Sequence, residues 1–209
     1  RVWNPAAGGA AIEAEPEGHS KSVEALVTFT DPATGALRVA TGSHDKTIRV
    51  WDADTGGALL VIDVGSDVKA LAFFVDPATC APRLVTSSGK VFDPVAGGDA
   101  LVKLDVGGSS LVVFTDPATG APRLACTSGK KVLILDPIVG GEALVVIDVG
   151  SSYEYVRALE FFADPATGAP RIACGCDDKK VRIYNPIAGG EALLVLDGGG
   201  SPLVVFTDP

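Results

Sequence analysis

The sequence is poor in the residue types that most often carry out chemistry. Its 209 residues include two histidines, four cysteines, two tryptophans and no methionine. Two histidines severely restrict nucleophilic and metal-centred schemes, and four cysteines without paired spacing favour a reducing compartment over a disulfide-stapled secreted domain. We therefore expect an intracellular, cytoplasmic protein, and the absence of methionine indicates an excerpt of a longer chain.

Positive charge is also scarce. Seventeen Lys and Arg residues stand against 26 Asp and Glu residues, which gives a formal net charge of −9. Such a chain is repelled by phosphate backbones and by anionic lipids, so neither nucleic acid nor a membrane surface is an expected partner. The sequence has no charged-then-apolar leader and no apolar run of about 18 residues, so we expect no signal peptide and no spanning helix.

Apolar residues and turn formers are abundant, and they are arranged in a repeat. Hydrophobic residues make up 47% of the sequence, enough to bury a core, which argues against disorder. The hexad Asp31–Ala36 recurs at Asp76, Asp116 and Asp164, and the chain stops at Asp208–Pro209, at intervals of 45, 40, 48 and 44 residues. Such a period is typical of a repeat architecture.

Each period contains four short apolar runs separated by Gly, Pro, Asp and Ser, which predicts four strands and four turns. In the first full period we place the strands at residues 22–30, 37–43, 47–52 and 58–63. The runs are rich in Val, Ile, Leu, Phe and Thr and are too short for packed helices. The chain is therefore predicted to be all-β, with modules of the size of a β-propeller blade.

Residues 18–52 resemble a complete WD repeat. The resemblance rests on Gly18-His19 and on the run Ala40-Thr-Gly-Ser-His-Asp-Lys-Thr-Ile-Arg-Val-Trp-Asp52. It implies a WD-repeat β-propeller of four-stranded antiparallel blades, and a hydrogen-bonded structural tetrad. The tetrad residues that it implies are His19, Thr41 (with Ser43 as the alternative), Asp45 and Trp51. A buried indole N–H and a buried imidazole both need partners, which supports this assignment.

The other periods depart from the WD pattern. Phe92, Leu135 and Tyr184 replace the tryptophan, and Asp178 keeps the turn aspartate only in the fourth period. We expect these blades to depend on apolar packing instead of the tetrad.

The repeat divides the chain, as one domain or fragment spanning residues 1–209, into four whole blades and a partial one. The whole blades lie at approximately 22–63, 67–105, 109–148 and 154–196, and the partial blade combines residues 1–15 with 201–209. Blades stack face to face, so open ends would expose apolar faces at a cost of roughly 10 kcal/mol or more. We expect residues 203–207 to join the blade of residues 1–15, within one chain or between copies.

The sequence contains no convincing catalytic or metal-binding set. His19 is accounted for by the tetrad, and His44 is interpreted as a solvated turn residue, with a partner contact as the alternative. Cys174 and Cys176 form a Cys-x-Cys pair that no further Cys or His joins, so no metal and no cofactor are predicted. Without a helix to complete a nucleophile elbow, we predict no catalytic residues.

The family resemblance implies one ligand-binding face, formed by the loops before the inner strand and between the second and third strands. Tyrosines in loops are good contact anchors because they bury a large area with few rotamers. Tyr155 could instead pack against its neighbour blade, which would leave Tyr153 exposed. The candidate partner-binding residues are His44, Lys46, Tyr153, Tyr155, Asp177 and Lys179.

Three functions fit these observations. The leading interpretation is a non-catalytic scaffold that binds a protein or peptide partner. The alternative is a self-assembling propeller fragment, a homo-oligomer that completes its ring without a dedicated ligand. An enzyme on a propeller scaffold is the third, disfavoured because His, Glu and Arg are sparse in the matching loops.

Overall fold

The computed structural model describes residues 18–150 and 155–198. Within these ranges the chain forms sixteen β-strands and no helix, so the all-β prediction with four strands per period is confirmed. In the same ranges no helix has the length and apolarity that a bilayer crossing requires. The predicted partial blade, residues 1–15 with 201–209, lies outside the described residues.

The strands form four sheets of four strands each, and in every sheet the strands follow chain order with antiparallel neighbours. The bounds in sheets 1 and 2 are β1 Val23–Thr30, β2 Leu37–Ser43, β3 Thr47–Asp52, β4 Ala58–Asp63, β5 Leu71–Val75, β6 Pro82–Thr86, β7 Lys90–Phe92 and β8 Val102–Lys103. Those in sheets 3 and 4 are β9 Leu111–Thr115, β10 Pro122–Ser128, β11 Lys131–Leu135, β12 Val145–Asp148, β13 Val156–Ala163, β14 Pro170–Cys176, β15 Lys180–Tyr184 and β16 Leu194–Asp197.

The chain divides into two compact units, unit 1 (Arg1–Leu101) and unit 2 (Val102–Pro209). In unit 1, sheet 1 packs against sheet 2. We call the face of a sheet that meets the following sheet its forward face, and the opposite face its backward face. On the forward face of sheet 1, Ile48 and Ile62 are buried together with Leu84 and Phe92 from the backward face of sheet 2. This apolar contact forms the core of unit 1.

Two details fix the approach of sheets 1 and 2. The ring of Phe29 stacks on that of Phe73, with centroids 5.0 Å apart. Gly42 allows the close approach of Val68, because a Cβ at Gly42 would lie 2.3 Å from Val68 Cγ1. Because glycine has no side chain, this position in the second strand leaves room for the branched side chain of Val68.

Unit 2 repeats this arrangement with sheets 3 and 4. Phe114 and Ile147 on the forward face of sheet 3 are buried with Ile172 and Tyr184 on the backward face of sheet 4. The Phe114 ring stacks on that of Phe161 at a centroid distance of 4.7 Å. The two units thus use the same face-to-face contact.

The repeated hexad forms the turn between the first and second strands of every sheet. In sheet 1 the Asp31 carboxylate accepts a hydrogen bond from Ala33 N, and Gly35 N donates to Asp31 O over 2.8 Å. Gly35 lies at φ 70°, a left-handed conformation that glycine adopts without strain. In sheet 2 Cys80 takes that position at φ 55°, and it is exposed.

An arginine lies two residues after each hexad, and in sheets 1 and 3 it connects the hexad turn to the end of the third strand. Arg38 pairs with both Asp31 and Asp52. Arg123 repeats this contact in sheet 3 with Asp116 and Asp136, at 3.4 and 3.3 Å. In these two sheets the arginines, which the sequence reasoning missed, join the hexad aspartate to the aspartate at the end of the third strand.

Candidate interaction face

Unit 1 brings the four proposed tetrad residues together, and we call this group the His19 relay (His19, Thr41, Asp45 and Trp51). Trp51 Nε1 donates to Thr41 Oγ1 over 2.8 Å, and Thr41 Oγ1 lies 2.8 Å from His19 Nε2. His19 Nδ1 is 2.9 Å from Asp45 Oδ2. With the ring proton on Nδ1, His19 donates to Asp45 and accepts from the Thr41 hydroxyl. Each polar atom in this series of hydrogen bonds therefore has a partner.

The Asp45 carboxylate anchors the relay at the turn between β2 and β3. Burial opposes its ionisation, but hydrogen bonds from the Thr47 hydroxyl, His19 and the Ser20 and Thr47 amides outweigh burial and hold the pKa of Asp45 well below its usual range. Thr47 is a relay neighbour that sequence reasoning missed. Ser43, the alternative to Thr41, instead accepts from Asp45 N over 3.0 Å.

Sheet 4 builds a different polar contact at the same place. Asp178 pairs with Arg182 Nη2 at 2.5 Å, where sheet 1 has Asp45 and His19. Cys174 and Tyr184 occupy the positions of Thr41 and Trp51 in the strand register, and both are buried. Burial raises the pKa of Tyr184 to about 12. Sheet 4, which lacks the tetrad, thus buries Cys174 and Tyr184 in its apolar core and adds the Asp178–Arg182 ion pair.

His44 and Lys46 lie in the same β2–β3 turn of unit 1. His44 Nε2 is 3.6 Å from Glu24 Oε1, and His44 Nδ1 is 3.4 Å from Asp67 Oδ2, so His44 lies between two carboxylates. Lys46 is exposed and lies at φ 71°, in the left-handed region. The turn thus presents a cation on a short, tightly bonded hairpin.

In unit 2 the corresponding turn carries an ordered group of side chains that we call the arginine patch (Tyr155, Arg157 and Asp177). Arg157 donates two hydrogen bonds to Asp177, from Nε and Nη2, both over 2.8 Å. The guanidinium carbon lies 5.2 Å from the centre of the Tyr155 ring. Hydrogen bonding by Arg157 holds the pKa of Asp177 below its usual value, and the same contact raises the pKa of Arg157.

The arginine patch is open to solvent. Tyr155 is 53% exposed, so of the two interpretations left open for it, packing against a neighbouring blade does not hold. Lys179, two residues after Asp177, is exposed and lies at φ 65°. Tyr153 lies outside the described residues. Sequence reasoning missed Arg157, which lies at the register shift between Val156 and Ala158 and so has no partner in the strand pairing that could have indicated it.

The thiols of the described chain are not poised for chemistry. Cys126, Cys174 and Cys176 are buried and form no disulfide. Burial raises the pKa of Cys126 to about 12 and moves that of Cys174 in the same direction, which disfavours the reactive thiolate. No group of three or more His, Cys, Asp or Glu side chains in residues 18–150 and 155–198 is arranged to hold a metal ion.

Comparison with known proteins identifies the repeat and the fold. Residues 12–52 match the family described as WD domain, G-beta repeat. The chain is similar to the computationally designed Ika8 protein, with a TM-score of 0.64 and 24% identity over 94% of this chain and 56% of that one. For the computationally designed Ika4 protein the TM-score is 0.57 and the identity 25%, over 85% of this chain and 98% of that one.

A third similar structure is BBS1N in complex with ARL6DN, soaked with lead. Its TM-score is 0.64 at 15% identity, over 85% of this chain and 57% of that one, so this chain spans little more than half the length of Ika8 and of BBS1N. No curated protein sequence matches the chain significantly. Because 824 solved chains share the structural likeness, it defines the fold and not the function. Residues 12–52 are therefore a WD repeat of the G-beta type, in a chain built from the four-stranded sheets of a WD-repeat β-propeller.

Proposed function

We propose that the chain is a non-catalytic interaction scaffold that binds a protein or peptide through the loops that precede the first strands and join the second and third strands. The WD repeat supports this role, and BBS1N, which shares the fold, is a propeller crystallised with a protein partner. The proposed contact residues are His44, Lys46, Tyr153, Tyr155, Asp177 and Lys179, to which the structure adds Arg157.

The arginine patch is the observation that carries this proposal. Two hydrogen bonds to Asp177 fix the Arg157 guanidinium, and the exposed Tyr155 ring lies beside it. Because these side chains are already ordered, a partner that binds here loses less side-chain entropy than one that binds mobile side chains. Tyr and Arg are also the residues that most often dominate the binding energy of an interface.

The opposite edges of the sheets are less suited to recognition. Their turns repeat nearly the same hexad, and its arginines are already engaged with carboxylates of their own sheet, as in Arg38 with Asp52. A partner would meet the same small, internally satisfied turn in every sheet. This favours the edge with Tyr155 as the binding edge.

The chemistry of the described residues also supports binding over catalysis. Both ring nitrogens of His19 are engaged within the relay, and burial keeps the Cys126 and Cys174 thiols protonated. The four cysteines form no disulfide, which agrees with the proposal of a reducing, cytoplasmic compartment.

A displayed library of random peptides, selected on the purified chain, tests the proposal without a known partner. Enriched peptides, synthesised and titrated by fluorescence polarisation, should bind the wild-type protein and lose at least about tenfold in affinity on Tyr155→Ala or Arg157→Ala. Thr167→Ala, in the exposed hexad turn of the same sheet, is the matched control and should leave the affinity unchanged.

Equal affinity for the patch variants and the wild-type protein would refute the choice of this edge. Peptides that lose affinity only on Thr167→Ala would place recognition at the hexad turns instead. Circular dichroism of each variant separates a lost contact from a lost fold.

A further inference from the structure

The first strand of sheet 4 leaves its regular pairing at Arg157. The pairing of β13 with β14 shifts register between Val156 and Ala158, so Arg157 lies at a bulge. A bulge changes the direction in which a side chain leaves the strand, and bulges are common beside functional sites. Sheet 1 has the same shift around Glu24, whereas the described pairings of β5 with β6 and of β9 with β10 show none. The bulge therefore distinguishes sheets 1 and 4.

The two bulges carry opposite charges. Sheet 1 has the carboxylate of Glu24 where sheet 4 has the guanidinium of Arg157. In sheet 1 the His44 ring lies between two carboxylates, 3.6 Å from Glu24 and 3.4 Å from Asp67. In sheet 4 a single carboxylate, that of Asp177, is bound by the guanidinium. The edge of sheet 1 is thus rich in acceptors, and we ask which groups remain at the edge of sheet 4.

The carboxylates at this edge are already used within sheet 4. Both oxygens of Asp177 accept hydrogen bonds from Arg157, each over 2.8 Å. The other carboxylate of the β14–β15 turn, that of Asp178, accepts from Arg182 Nη2 over 2.5 Å and from Lys180 N over 3.0 Å. A cationic group of a partner would have to compete with one of these contacts. The turn is therefore poorly suited to binding a cation.

The donors at this edge are not used up. A guanidinium has more N–H donors than one carboxylate accepts. Arg157 binds Asp177 through Nε and Nη2, and within residues 18–150 and 155–198 no acceptor pairs with its Nη1. The outer edge of the guanidinium thus keeps parallel N–H groups, which match the two oxygens of a carboxylate. Lys179 adds an exposed ammonium that forms no ion pair with a carboxylate of the described chain.

We propose that the arginine patch binds a carboxylate of an acidic peptide segment through the outer edge of the Arg157 guanidinium. This inference rests on the proposed scaffold function and names the chemistry of the partner. The Tyr155 ring, 5.2 Å from the guanidinium carbon, offers an apolar surface to the methylene groups of a Glu or Asp side chain. A carboxylate fits better than a phosphate, because Asp177 and the net charge of −9 repel a dianion more strongly.

Replacing each acidic residue of a bound peptide by its amide tests the proposal on the full chain. Peptides selected from the random library should contain Glu or Asp, and the change to Gln or Asn should weaken binding to the wild-type protein about tenfold, the loss expected for a charge-assisted contact. On Arg157→Gln the same change should alter the affinity less than about twofold, because the donor is gone. Arg157→Lys keeps the charge but not the paired donors, so it should bind the acidic peptide more weakly than the wild-type protein.

Arg171→Gln is the matched control. It removes one positive charge from the hexad edge of the same sheet, where Arg171 pairs with Asp164, and should keep the tenfold preference for the acidic peptide. The Arg157 side chain is 53% exposed, so its variants should keep the fold, which circular dichroism checks.

The outcomes separate this inference from the proposed function. Selected peptides that lack Glu and Asp, yet lose affinity on Tyr155→Ala, would overturn the inference and leave the scaffold function standing. An amide change that costs the same on the wild-type protein and on Arg157→Gln would also overturn it, because the carboxylate would then bind elsewhere. A library from which no peptide is enriched would overturn the scaffold function and this inference together.

Discussion

Thr41→Val tests whether the His19 relay stabilises sheet 1. Valine keeps the shape of threonine but removes the hydroxyl that accepts from Trp51 Nε1 and contacts His19 Nε2, both at 2.8 Å. The substitution therefore leaves a donor on Trp51 and an acceptor on His19 without their partner. We expect a loss of stability, because no other atom of the relay can pair with Trp51 Nε1 or His19 Nε2.

The magnitude follows from the cost of leaving polar groups unpaired. A buried group that loses its partner costs about 1–3 kcal/mol. The side chain of His19 is 3% exposed, but Trp51 is only partly buried and regains some contact with water. Two orphaned groups, one of them partly hydrated, should reduce the free energy of unfolding by about 2–3 kcal/mol.

Urea unfolding followed by far-UV circular dichroism measures this loss for Thr41→Val, Trp51→Phe and the double variant. Trp51→Phe removes the indole donor, so the hydroxyl deletion should cost about 1 kcal/mol less in that background. Circular dichroism is preferred to fluorescence because Trp51 is one of only two tryptophans.

Additive losses, within about 0.3–0.5 kcal/mol, would refute the coupling between Thr41 and Trp51. A loss below about 0.5 kcal/mol for Thr41→Val alone would refute the relay as a source of stability. A changed dependence on urea concentration would instead indicate that the two compact units unfold separately.

Three further substitutions test single features of unit 1. Cys80→Gly should stabilise the protein by about 0.5 kcal/mol in urea unfolding, because glycine adopts φ 55° without strain. Gly42→Ala should destabilise it by about 1–3 kcal/mol, because its Cβ would overlap the Val68 side chain. The folded-state pKa of Asp45 lies below its unfolded value of about 3.9, so its contribution to stability is present above that pH and lost as pH falls towards the folded pKa. The stability gap between the wild-type protein and Asp45→Asn, large at about pH 6, should therefore narrow below about pH 4 in urea titrations.

Each of these three has its own control. Gly120→Ala, at the hexad position equivalent to Cys80 and at φ 71°, should destabilise by about 1 kcal/mol, and a neutral effect would remove the strain argument. Gly107→Ala, with open space around the new methyl group, should change stability by less than about 0.5 kcal/mol. If the difference in stability between the wild-type protein and Asp45→Asn stays constant between about pH 6 and 3, ionisation of Asp45 does not stabilise the fold.

Part of the candidate site was predictable because it depends on local sequence. Asp45 and Lys46 lie in the three-residue segment between the second and third strands, so their place in a turn follows from the strand pattern alone. The His19 relay could not be predicted from local sequence alone, because His19 precedes the first strand by several residues. Its role came from the family resemblance. Arg157 was missed because its partner Asp177 lies 20 residues away in the sequence, and the register of the strands that bring the two together cannot be read from the sequence.

The repeat, the four strands per period and the hexad turns followed from the sequence because these features depend on neighbouring residues. Alternation, Asp-Pro and glycine act over a few positions, and the first-period strands, predicted at 22–30, 37–43, 47–52 and 58–63, are observed at Val23–Thr30, Leu37–Ser43, Thr47–Asp52 and Ala58–Asp63. Tertiary structure alone decided the exposure of Tyr155 and the contrast between the exposed Leu196 and the buried Ile62, which share one place in the repeat. Burial depends on which sheet packs against a residue, and that is set by contacts between distant segments.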